Sequence, residues 1–139
     1  MSALSANLAP SVELLTKIVR QPDFPEPDIE RVRTQTLTAI AQAQKSPSGI
    51  AGRALPAVLY GENHPYATTA IGNPEAVQSF TRADIAGFHQ SWLRPETLDL
   101  FVVSNLPLAE VRSELDRAFG DWAPPAAPKG VKAFPALPQ

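Results

Sequence analysis

Apolar residues recur along this chain at spacings of three and four positions almost everywhere. Within residues 22–47, Ile29, Val32, Thr36, Ile40 and Ala43, with Leu37 beside them, form one stripe of the kind a helix lays over a core. The stripe predicts a long helix after Pro27. Glu26, Asp28 and Glu30 crowd its first turn, where the positive end of the helix dipole favours carboxylates, and Lys45 falls in the expected last turn before Ser46 and Pro47 stop it. A shorter amphipathic helix is expected over residues 10–21, with Val12, Leu15, Ile18 and Val19 on one face and Glu13 and Lys17 a turn apart on the other. Residues 47–60 carry Ile50, Ala54, Leu55, Val58 and Leu59 at helical spacing, and Pro56 inside that pattern predicts a kink or a late start.

Gly61 ends that helix, and residues 61–66, GENHPY, have the chemistry of an ordered loop. Asn73 before Pro74 reads as a cap opening a short helix through Val77 and Phe80. Thr81 with Asp84 three residues on resembles a capping box, and the helix it starts should bury Ile85, Phe88, Trp92 and Leu93 before Pro95 ends it. Residues 98–103, LDLFVV, are apolar on both faces apart from Asp99 and predict a buried strand, with a weaker one over 131–134. Asn105 to Pro107 open a last helix with Leu108, Val111, Leu115, Ala118 and Phe119 inward, closed by Gly120.

One convincing strand cannot satisfy its own backbone groups, so the expected class is α+β, with helices on one face of a mostly antiparallel sheet whose other strands lie outside these residues. On this reading the chain is a fragment. Its packing centre is expected at Ile29, Val32, Ile40, Leu55, Leu59, Phe88, Trp92, Phe101, Val103, Leu115 and Phe119.

Composition narrows the function. The 139 residues suit a single unit, a net charge of −2 with scattered Lys and Arg offers no stripe for a phosphate backbone, and nucleic acid is excluded as a partner. No apolar run approaches the roughly 20 residues of a membrane span, and residues 1–10 lack the features of a signal peptide. With no cysteine there is no thiolate ligand or nucleophile. Five of the fifteen prolines follow Trp122, so residues 1–122 read as the folded part and 123–139 as a Pro-rich linker.

The order PDFPEPDIERVR, LYGENHPYAT, TRADIAGFHQSWLRPETLDLFVV, LDRAFGDW resembles, over residues 8–125, the later part of a peptidase-like lobe of the zinc metallopeptidases grouped with pitrilysin, insulysin and the mitochondrial processing peptidase. In active members of that family an inverted His-x-x-Glu-His motif binds zinc, and a glutamate further on is the third ligand. The resemblance places that ligand at Ala39, whose methyl group cannot coordinate a metal. The two histidines, His64 and His89, are 25 positions apart and make no such motif; the segment that would hold it is expected before residue 1. Read from the residues alone, His64 is a loop side chain bonding nearby backbone and His89 a partly buried structural histidine. Glu26, Asp28 and Glu30 complement the helix dipole, and Asp116 and Asp121 sit at a solvated helix end.

The resemblance thus implies a non-catalytic lobe without metal ligands, zinc being expected only in an active partner half. Its partners would be that zinc-bearing subunit or half and a peptide substrate, in the periplasm by analogy with bacterial two-subunit members. The arginine and tyrosine that bind substrate in such halves belong to the following lobe, beyond Gln139. Two other readings stand beside this one: a structural or assembly module without proteolytic role, and an active zinc endopeptidase.

Overall fold

A computed structural model describes residues 1–62 and 64–134; Asn63 of the expected loop and residues 135–139 of the expected linker lie outside them. Six helices are found among the described residues: α1 Leu8–Arg20, α2 Glu26–Ala43, α3 Pro47–Tyr60, α4 Pro74–Ser79, α5 Arg82–Trp92 and α6 Leu108–Phe119. Single 3-10 turns occupy Ser5–Asn7, Pro65–Ala67 and Pro95–Thr97. Among the described residues two compact units are formed, one of Met1–Asp23 with Ala86–Gly130, the other of Phe24–Ile85 with residues 131–134.

In the first unit α1 packs on α6, each contributing a buried valine, Val12 and Val111. The end of α6 is closed from α1: Arg20 donates to the Ala118 carbonyl at 2.6 Å and to the Asp121 carboxylate at 2.7 Å. A helix leaves its last carbonyls without partners, and a cation there also meets the negative end of the dipole. That hydrogen bond holds the Asp121 carboxyl below the ordinary aspartate value.

In the second unit α2 packs on α3 and α4, with Ile40 of α2 only 1% exposed. The signals at Gly61, Asn73 and Thr81 act as expected, and Ser46, read as a stop for α2, also caps α3. Ser46 accepts from the Gly49 amide at 3.1 Å, Asn73 from Ala76 at 2.7 Å, and Gly61 ends α3 at φ 77°, in the half of backbone space that favours glycine. Thr81 and Asp84 complete the reciprocal box, the Thr81 amide donating to Asp84 at 2.8 Å and the Asp84 amide to Thr81 Oγ1 at 3.2 Å. Those bonds from the Thr81 hydroxyl and amide lower the Asp84 pKa.

Five expectations are corrected. No strand occurs among the described residues, so the α+β class gives way to an all-helical one. Residues 98–103 are not a buried strand: Phe101 is 93% exposed and Val103 fully so, while Leu98, Leu100 and Val102 are more covered. The alternation of an extended segment is present, but a strand exists only through a ladder, and no described segment pairs with this one. Nor do residues 131–134 form a strand, Val131 and Phe134 being exposed. Of the expected packing centre Ile40 is buried, whereas Val32, Leu55, Leu59, Phe88, Phe101 and Val103 are exposed, as are Leu93 and Leu108 from the expected inner faces. Their stripes are amphipathic, but a stripe is buried only where another element covers it. Finally, α2 ends at Ala43, leaving Lys45 beyond the helix.

Candidate functional site

The second unit encloses an open cavity of about 480 Å³, within the range of small-molecule sites. Its walls come from Phe24 and Pro25, from Ile29 and Val32 on α2, and from Ile71, Val77, Phe80 and Ile85. The stripe that the sequence marks on α2 therefore lines a cavity over its first two turns and is covered only further on, at Ile40.

Two features shape this cavity. Phe24 has φ 46°, a left-handed conformation that costs a residue with a side chain about 1–2 kcal/mol, and its carbonyl accepts from Arg82 Nε at 3.1 Å. Arg33, which also lines the cavity, turns its guanidinium to the end of α4, donating to the carbonyls of Val77, Gln78 at 3.0 Å and Phe80 at 2.6 Å while Nε bonds Glu30 at 3.1 Å. Asp28 at the rim is bonded by Arg31 at 3.1 Å. The charges of Arg33 and Asp28 are thus engaged, and what the walls offer an occupant is apolar contact. The sequence carries no signal for Arg33 as a helix cap, because its partners are backbone carbonyls 44 to 47 positions away.

The positions singled out from sequence are placed as follows. Ala39 lies exposed on α2. His64 is 7% exposed, its Nδ1 accepts from the Tyr66 amide at 3.1 Å, and its ring stacks on Tyr60 at 5.3 Å. His89 Nε2 bonds the Val19 carbonyl at 2.7 Å. Both histidines have the backbone bonds expected of structural side chains. Glu26 and Asp28 stand in the first turn of α2, with Glu30 just after them. Among the described residues no three His, Asp or Glu side chains converge as a metal site would require. The residues present do not fit a catalytic zinc, because among those described no such convergent set exists and no cysteine is available to supply a thiolate.

No helix of the described residues is long and apolar enough to cross a membrane. A search of curated proteins finds no match. Among solved structures the fold is similar to a protease from Helicobacter pylori, with a TM-score of 0.77 at 24% identity, covering 97% of this chain and 32% of that one. It is also similar to a peptidase M16 inactive domain from Pseudomonas fluorescens, with a TM-score of 0.69 at 19% identity, covering 93% of this chain and 30% of that one. The chain spans about a third of the length of each. At these identities the likeness is one of fold; the sequence itself matches the family model for the peptidase M16 inactive domain over residues 79–139. Over that stretch the chain is similar to the inactive domains of the M16 peptidases, the family its motifs resemble.

Proposed function

We propose that the chain serves as the non-catalytic half of a zinc peptidase, associating with a zinc-bearing half and helping to enclose a peptide substrate between them. The observation that carries this reading is the match of residues 79–139 to the inactive domain, supported by Ala39 at the aligned ligand position. In such an assembly zinc supplies an activated water from the partner, and no step of the chemistry belongs to residues of this chain. What this chain contributes is surface and shape: a helical framework held by arginine-to-carbonyl bonds, with exposed apolar side chains available for association.

The test uses a zinc-bearing half with the His-x-x-Glu-His sequence, taken from the same or an adjacent reading frame. Alone, this chain should show no stoichiometric zinc and no peptide cleavage; added to the zinc-bearing half, it should raise chelator-sensitive cleavage. Equal cleavage with and without this chain, at concentrations where the two associate, would leave only the assembly role.

A further inference from the structure

Residues 123–130, APPAAPKG, include three prolines without amide hydrogens, so what this segment offers a neighbour is mostly carbonyl oxygen. A guanidinium meets those oxygens. Arg94, only 8% exposed, donates through Nη1 to the Ala127 carbonyl at 2.7 Å and through Nη2 to the Pro125 carbonyl at 3.3 Å. The same Nη1 reaches the Gln90 carbonyl at 3.4 Å, near the end of α5, and Nε bonds the Glu96 carboxylate. One side chain thus ties two points of the proline-rich segment to the helix end.

A second tie lies further along. The Gly130 amide donates at 2.9 Å to the carbonyl of Ser91, in the last turn of α5 where no helical donor remains. Position 130 also has no room for a side chain, since a Cβ there would lie 2.2 Å from Cε2 and 2.5 Å from Cζ2 of the Trp92 indole. The backbone passes directly against that ring.

We propose that residues 123–130 form a latched strap, with Arg94 and Gly130 as the latch, so that the strap and the C-terminal cap of α5 form and release as one unit. A segment of this composition would otherwise behave as a semi-rigid free spacer. Latched, it fixes the point from which the polypeptide continues beyond Gly130. The inference rests on bonds within one unit and is independent of the proposed function.

Hydrogen exchange on the full chain, resolved at single amides, tests it. In the wild type the amide at position 130 should exchange at least about tenfold more slowly than in an unfolded peptide. Arg94→Lys keeps the charge but loses the planar fork, and Gly130→Ala drives a methyl into the indole; each should return position 130 toward the free rate and loosen the amides of Trp92 and Leu93 with it. Protection at Val12 and Val111 reports whether each variant is still folded. A free-peptide rate at position 130 in the wild type overturns the strap outright, without need of any variant. Folded variants that keep the wild-type protection overturn the latch, and a freed strap with an unchanged α5 end overturns the coupling.

Discussion

Arg33 holds the carbonyl of Phe80 at 2.6 Å across 47 positions of sequence, and with Val77 and Gln78 on the same guanidinium it closes the C-terminal end of α4. The side chain is 16% exposed, so water is a poor substitute for these bonds. Arg33→Ala should destabilise the chain by about 1–3 kcal/mol, a charged donor being withdrawn from three carbonyls at once, of which the bond to Val77 is part-buried. Arg33→Lys should recover only a minor part, because a single ammonium cannot reproduce the fork. Urea denaturation measures both; a loss below about 0.5 kcal/mol for the alanine variant would show that solvent caps α4 equally well.

The bond from Arg20 to Asp121 gives a pH dependence of known sign. Arg20 holds the Asp121 carboxyl below its ordinary value, so the folded chain keeps the group ionised where the unfolded chain takes up a proton. The stability it contributes is present above the unfolded value of about 3.9 and is lost as pH falls through the lower folded one. The fall of the urea midpoint below about pH 4 should therefore be shallower in Asp121→Asn than in the wild type. Asp121 is exposed, so the difference should be small and should shrink further in salt. Parallel curves for the two proteins over that window would remove Asp121 from the acid sensitivity.

Burial separates two residues that the sequence places together in one core. Ile40, 1% exposed, should cost about 2–5 kcal/mol when truncated to alanine. Phe88 is 62% exposed, its ring 6.0 Å from that of Trp92, and Phe88→Ala should cost less than about 1 kcal/mol. Chemical denaturation of the pair decides it; a larger loss at Phe88 than at Ile40 would restore the expected packing centre.

What could be read from the sequence and what could not divide along the range of the interactions. Gly61, Asn73 and the pair Thr81 and Asp84 mark helix ends correctly because a cap is settled within three or four residues of itself. Residues 98–103 were misread because apolar β-branched composition states a preference, while a strand needs a partner that composition does not name. The stripe of α2 is real, yet periodicity cannot distinguish a covered face from a cavity wall, and Val32 and Ile29 prove to be the latter. The ties made by Arg20, Arg33 and Arg94 were invisible for a different reason. Their acceptors are backbone carbonyls, a group every residue carries, and so leave no mark in the sequence. Ala39 and both histidines could be singled out, and His64 has the backbone bond expected of it, but the cavity bounded by Phe24 and Phe80, which none of the three lines, had no local signature.

Ala39→Glu gives the last prediction, because it supplies the side chain that the family resemblance would expect at this position. Ala39 is exposed on a regular stretch of α2, and glutamate is a good helix former, so the substitution should change stability by no more than about 0.5 kcal/mol. It should nevertheless create neither a zinc site nor cleavage. A catalytic zinc needs about three converging protein ligands with a place left for water, and one carboxylate on a helix surface supplies a single donor. His64 and His89 do not complete the set, since among the described residues no three His, Asp or Glu side chains converge. Metal analysis of the variant purified without a histidine tag, with a peptide-cleavage assay beside it, measures the outcome. Stoichiometric zinc in Ala39→Glu that is lost again on replacing His64 or His89 would mean that the ligands converge after all, and would overturn the reading of this chain as one without a metal site.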